Sequence, residues 1–214
     1  MPPSQDTSRP GRIRRLLGGV AIVGALAVAG SIATGYYFRA AQATATAAAE
    51  PAVSVTVAMI EPLAKRIDPL GWHIQVNASA VQILEHRQLL ASLSSPLVID
   101  HMGQIPQPAG VVHPAFGVVE ELVARGRTWV KLSGPYLVSR TGAPDYADAG
   151  VVARRLAQLA PHRMVWGSDW PHPTQSADNK PDVAGLLEDL MLWIPDDSER
   201  YRILVENPAS LYGF

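Results

Sequence analysis

The sequence predicts an α/β fold built on a parallel sheet and preceded by one transmembrane helix. Three observations carry that expectation. Residues 16–38 form a run of 23 without a charge, and roughly 20 apolar residues suffice to cross a bilayer core as a helix. Beyond residue 63, four short β-rich runs alternate with helical stretches. The runs begin at Trp72, Leu97, Trp129 and Met164, spacings that suit one strand, one helix and two turns per unit.

In the first 39 residues, Arg9, Arg12, Arg14 and Arg15 precede the apolar run and Tyr36-Tyr37-Phe38-Arg39 closes it. The positive-inside bias then places the C-terminal bulk outside the cytoplasm, which for a bacterial inner-membrane protein is the periplasm. A cleaved signal peptide is the competing reading, but secretory apolar cores run about 7–15 residues. Ala21, Ala25, Ala29 and Ala33 share one helix stripe, a geometry that permits close helix approach but that an Ala- and Gly-rich segment also produces by composition. Residues 40–52 read as a linker, followed by a short alternating strand at Val53, Val55 and Val57 that ends at Glu61-Pro62. The expected organisation is therefore a basic start and span over 1–39, a linker with a strand over 40–62, and a folded domain over 63–214.

Composition narrows the function. The net charge of −1 divides into five Arg against three acids in 1–62 and 13 basic against 16 acidic residues in 63–214. Basic and acidic residues interleave in the folded part, which argues against nucleic-acid binding. With no cysteine, disulfide frameworks, thiol nucleophiles and zinc-thiolate sites are excluded.

The strands are expected at Trp72–Val76, Leu97–His101, Trp129–Ser133 and Met164–Asp169. Between and after them, Phe116, Val119 and Val123 share a helix face, as do Val152, Leu156 and Leu159, and Val183, Leu186, Leu187, Leu190 and Ile194. Asp182 and Ser198 suit helix N-caps, and Asn207-Pro208 is expected to end the last helix, leaving Leu211-Tyr212-Gly213-Phe214 as a packed apolar tail. Along the strands, His73 and Gln75 alternate with Trp72, Ile74 and Val76, and Lys131 and Ser133 with Val130 and Leu132. One face of the sheet is thus polar. His101, Ser133 and Asp169 stand at or near strand ends, where parallel α/β folds carry their chemistry.

Several runs together resemble the amidohydrolase-2 (amidohydrolase-related) family, in particular its 2-pyrone-4,6-dicarboxylate lactonase-like members. They are Gly71-Trp72-His73-Ile74-Gln75, Val98-Ile99-Asp100-His101-Met102-Gly103, Trp129-Val130-Lys131-Leu132-Ser133-Gly134-Pro135, Val165-Trp166-Gly167-Ser168-Asp169-Trp170-Pro171-His172-Pro173 and Asn207-Pro208-Ala209-Ser210-Leu211-Tyr212-Gly213-Phe214. The resemblance implies a TIM-type (β/α)8 barrel in which these runs are strands five to eight, so 63–214 would be half a barrel. It further implies that Asp169 is the general base that activates water, that His101 binds or polarises the carbonyl, and that neither metal nor other cofactor takes part. The implied substrate is a small lactone or carboxylate.

The residue types suit that chemistry: a carboxylate takes a proton from water while imidazole N–H groups hold a developing oxyanion. Lys131, Tyr136 and Arg140 are candidates to neutralise an anionic substrate, and His73, Gln75, Ser133 and His172 to line the site. Competing structural readings are a turn-forming or capping Asp169, a His101 satisfied by a carbonyl, and a His172 that is a loop residue between two prolines. His86, His113 and His162 read as surface positions, and Trp72, Trp129, Trp166, Trp170 and Trp193 as packing residues. His101 and Asp169 alone fall short of the three protein ligands a catalytic zinc usually takes.

Two departures accompany the resemblance. The family's arginine after the Ser-Gly-Pro turn is Leu137 here, with Arg140 three residues later, and its His-x-His pair at strand one occurs nowhere in the chain. A half barrel also leaves two strand edges unpaired, which a homodimer would relieve. Residues 1–62 for their part resemble the N-terminus of a periplasmic efflux-pump adaptor, which offers a non-enzymatic, membrane-tethered reading.

Overall fold

The structure, a computed structural model, describes residues 56–214. The expected span over 16–38, its Ala stripe, the linker, and Val53 and Val55 of the predicted strand lie outside the described residues. Among the described residues no helix is long and apolar enough to cross a membrane.

The described residues fall within one compact unit. Strands β1 (Ile74–Val76), β2 (Leu97–Ile99), β3 (Thr128–Leu132) and β4 (Met164–Trp166) form one sheet in the order β1-β2-β3-β4. Every pair is parallel, with Gln75 opposite Val98, Val98 opposite Trp129 and Lys131 opposite Val165. Consecutive neighbours without a reversal of order are what a barrel segment requires, and β1 and β4 are the edges among the described residues.

Helices precede, link and follow the strands: α1 (Ile60–Ile67), α2 (Ala80–Glu85), α3 (Arg87–Ser92), α4 (Pro114–Ala124), α5 (Ala147–Leu159), α6 (Val183–Trp193), α7 (Asp197–Tyr201) and α8 (Asn207–Tyr212). Alternation in the strands sorts the two faces. Ile74, Leu97, Ile99, Val130, Leu132 and Met164 share one core with Phe116 and Val119 of α4, Val152 and Leu156 of α5, and Leu186 and Leu190 of α6. On the opposite face Val98, Trp129 and Val165 form a second, smaller cluster against Leu211. Burying these side chains stabilises the fold by roughly 1.5–3 kcal/mol each before conformational entropy is subtracted.

Local signals explain several boundaries. Ser79 and Gln82 form a reciprocal capping box at the start of α2, Pro114 opens α4 where its missing N–H costs nothing, and Asp182 Oδ2 accepts the Gly185 amide at 3.0 Å to cap α6 as expected. Four expectations are corrected. The alternation ending at Glu61-Pro62 is helical where described: Val57–Met59 is a 3-10 turn and both residues sit in the first turn of α1, where proline is tolerated. Asp196, not Ser198, caps α7 by accepting the Glu199 amide at 2.9 Å. Asn207-Pro208 does not stop the last helix. A π-helical turn over Arg202–Glu206, closed by the Asn207 amide on the Arg202 carbonyl, carries the chain into α8, so the proline enters at a register where its missing donor breaks nothing. Asn207 anchors that turn: its side-chain amide donates to the carbonyls of Pro161 at 2.7 Å and Met164 at 2.6 Å. Finally, the apolar tail is not packed as a whole, because Leu211 meets the small cluster while Phe214 is exposed.

Candidate active site

The four strands end at one edge of the sheet, and the polar residues collect there in two groups. The first lies beyond β2, β3 and β4. His101 directly follows Asp100 and has φ 53°, and Asp169 has φ 62°. Such left-handed values are strained for side-chain-bearing residues and tend to gather at functional sites. His101 Nδ1 lies 2.9 Å from Ser133 Oγ, and its Nε2 lies 3.7 Å from Asp169 Oδ1. The Tyr136 hydroxyl donates to Asp169 Oδ2 at 2.5 Å and also lies 3.2 Å from His172 Nδ1. Gly134 makes the approach possible: it sits at φ 59°, and a Cβ there would stand 2.7 Å from His101 Nδ1.

Charge is arranged unevenly in this group. Burial, then the hydrogen bond to Asp169 and its charge, push the Tyr136 phenol well above its ordinary range, so the hydroxyl stays protonated and remains a donor. Burial lowers the affinity of His172 for a second proton, with Lys180 acting in the same direction and Asp169 against it.

The second group lies on the same polar face, nearer the middle of the sheet. Lys131 Nζ stands 2.9 Å from Asp100 Oδ1, and Gln75 Nε2 donates to Asp100 Oδ2 at 2.9 Å. His73 meets the ring of Tyr212 edge-on at 5.7 Å. Burial and the neighbouring Lys131 lower its proton affinity, against an opposing pull from Asp100.

The sequence-predicted residues thus separate. Asp169, His101, Ser133, Tyr136 and His172 come together, and His73, Gln75 and Lys131 form the adjoining group. Arg140 does not join either: it is exposed, its backbone amide donates to Asp148 at 2.7 Å, and its side chain makes no hydrogen bond or ion pair among the described residues. Lys131 and Tyr136, expected to meet a substrate anion, already have carboxylate partners. His172 is 2 % exposed and faces the Tyr136 hydroxyl, whereas Trp170, expected in the packing, is 75 % exposed beside Asp169. Asp100 was not anticipated, although a signal existed: Leu97 and Ile99 alternate with Val98 and Asp100, so Asp100 belongs on the polar face. Among the described residues no three His, Asp or Glu side chains converge as a metal cage would require.

A parallel sheet of successive strand-helix units, with a carboxylate and a histidine facing each other beyond its strand ends, is an α/β scaffold of the barrel-segment type. The amidohydrolase family model matches residues 8–214, and the chain belongs to that family. The match includes residues read from sequence as span and linker. Among curated relatives, the chain is 35% identical over 145 residues to 4-sulfomuconolactone hydrolase of Rhizobium radiobacter, covering 67% of this chain and 48% of that protein. It is 33% identical over 163 residues to D-galactarolactone isomerase of Agrobacterium fabrum, covering 76% and 56%. It is 35% identical over 159 residues to 2-pyrone-4,6-dicarboxylate hydrolase of Comamonas testosteroni, covering 70% and 52%. An apo crystal structure from Agrobacterium tumefaciens superposes with a TM-score of 0.69 at 32% identity, covering 77% of this chain and 58% of that one. The chain therefore spans about half the length of the curated relatives it matches.

Proposed function

We propose that this chain hydrolyses small lactones or related cyclic esters, with Asp169 as general base and His101 as the group that polarises the carbonyl. The observation that carries the reading is the gap between them. At 3.7 Å, His101 Nε2 and Asp169 Oδ1 are too far apart for a direct hydrogen bond, a separation in which a water or a substrate oxygen can be shared. Ser133 Oγ occupies His101 Nδ1. When the serine hydroxyl donates there, Nε2 carries the hydrogen and faces the shared space.

In this mechanism Asp169 takes a proton from water as its oxygen bonds to the lactone carbonyl carbon. His101 Nε2–H stabilises the resulting oxyanion. The carbon–oxygen ring bond then breaks, and the leaving oxygen recovers the proton from Asp169, which regenerates the carboxylate. Proton transfer within this pair needs no metal ion. Lactone chemistry in three relatives, two hydrolases and one isomerase, supports the substrate class, and Arg140, exposed and away from the group, gives no reason to require a dicarboxylate.

Further parts of the reading concern context. Residues 16–38 serve as an inner-membrane anchor with the C-terminal part in the periplasm, and a homodimer uses the edges at β1 and β4, each of which has one strand neighbour among the described residues. The efflux-adaptor-like start favours a tethered, non-enzymatic role only if turnover is absent. The deciding experiment incubates the full chain with muconolactone- and pyrone-type lactones and follows acid release, with light scattering on the same sample. Hydrolysis that disappears in Asp169→Asn supports the reading. A folded chain without hydrolysis contradicts it.

A further inference from the structure

Tyr136 serves two partners with one proton. Its oxygen lies 2.5 Å from Asp169 Oδ2 and 3.2 Å from His172 Nδ1, and an ionised carboxylate can only accept. The phenol proton therefore belongs to Asp169, and the tyrosine oxygen is left to accept from the histidine. That assigns the hydrogen of the neutral imidazole to Nδ1 and leaves Nε2 as a lone pair. Nε2 is buried without a hydrogen-bond partner among the described residues, so nothing there competes to hold the hydrogen on that side.

The backbone brings the two residues to the same hydroxyl. The turn from Asp169 to His172 closes through the His172 amide on the Asp169 carbonyl at 2.8 Å, and His172 itself has φ 55°. The imidazole meets the tyrosine ring edge-on, with centroids 5.6 Å apart and planes at 76°, and its Nδ1 lies 3.2 Å from the hydroxyl oxygen.

We propose that His172 is a positioning residue: its Nδ1–H donates to the Tyr136 oxygen, Tyr136 donates to Asp169 Oδ2, and this chain fixes the carboxylate with Oδ1 turned toward His101. The inference rests on the assignment of Asp169 as the base, and it removes His172 from the substrate-contacting set. A hydrogen-bond chain of this kind is mutually polarising, so each link strengthens the next.

The test reads the tautomer directly. Nitrogen NMR of the full chain with labelled histidine distinguishes a hydrogen-bearing Nδ1 from a hydrogen-bearing Nε2. The wild type is expected to show His172 with the hydrogen on Nδ1. Asp169→Asn, whose amide can donate to the tyrosine oxygen and free the phenol proton for the imidazole, is expected to move the hydrogen to Nε2. A wild-type signal with the hydrogen on Nε2 overturns the proposal.

Kinetics provide a second readout. His172→Asn keeps a donor near the Nδ1 position and tolerates the left-handed backbone, whereas His172→Gln places its amide near Nε2. We expect His172→Asn to keep kcat within about threefold and His172→Gln to lose roughly tenfold or more at little-changed KM. Equal kcat in the two variants overturns the proposal. An Nδ1 hydrogen in a chain that hydrolyses no lactone leaves the hydrogen-bond chain standing and defeats the lactonase reading. Asp169-dependent hydrolysis with the hydrogen on Nε2 does the reverse.

Discussion

The Lys131 ammonium stands 2.9 Å from Asp100 Oδ1 on the polar face of the sheet, so this cation already has its counter-charge. Asp100 is 3 % exposed, and a buried carboxylate left alone is costly. Lys131→Met should therefore destabilise the fold by roughly 2–4 kcal/mol, while Asp100→Asn combined with Lys131→Met should recover most of that loss, because Asn still accepts from Gln75. Urea titration of the four proteins of the cycle measures the coupling.

Gly134→Ala tests how closely the turn after β3 is built around His101. A Cβ at 2.7 Å from His101 Nδ1 forces the imidazole away from Ser133, and the φ of 59° costs an alanine about 1–2 kcal/mol. The expected result is a folded variant with hydrolysis reduced about 100-fold, read from initial rates and thermal melting.

Asn207 joins the C-terminal helix to the start of β4 through the carbonyls of Pro161 and Met164. Asn207→Ala leaves both acceptors without that donor, which predicts a loss of about 2–4 kcal/mol, measured by denaturant unfolding. Asn207→Asp, which sets a carboxylate against two carbonyls, should be worse.

Two carboxylates give opposite slopes of stability with pH. Burial raises the proton affinity of Asp148, but hydrogen bonds from Ser139, the Arg140 amide and Thr141 outweigh it and hold the group at about 2. A depressed folded value contributes stability above the unfolded value of 3.8 that is lost as pH falls toward 2. Asp189 is the reverse: burial, then Asp145 and Glu188, push it up to about 6. Its contribution is present below the unfolded value of 3.8 and is lost as pH rises through about 6. Asp148→Asn should flatten the acid limb, and Asp189→Asn should stabilise the protein at neutral pH by on the order of 1 kcal/mol, an advantage that vanishes below about pH 4. Melting temperatures across that range check both.

What the sequence made legible was what alternation and capping encode locally. The strands Ile74–Val76, Leu97–Ile99 and Met164–Trp166 lie within the expected runs, Thr128–Leu132 starts one residue before its own, and Asp182 caps its helix. The opposition of Asp169 and His101 followed from strand ends that a parallel sheet aligns. Other features depend on contacts between distant segments, which no local pattern carries. The helix continues past Pro208 because Asn207 finds carbonyls more than 40 residues away. Trp170 faces outward, its indole following a left-handed Asp169. Tyr136 turned out to hold a carboxylate rather than wait for a substrate anion, since the turn that brings Asp169 to it is set by backbone angles a side-chain pattern does not reveal.

The most direct test of water attack assisted by Asp169 is turnover of a lactone in isotopically labelled water, with the product followed by mass spectrometry. The account predicts one labelled oxygen in the new carboxylate, and loss of that incorporation in Asp169→Asn. A product that carries no label, as isomerisation would give, or label incorporation that persists in Asp169→Asn, would contradict it.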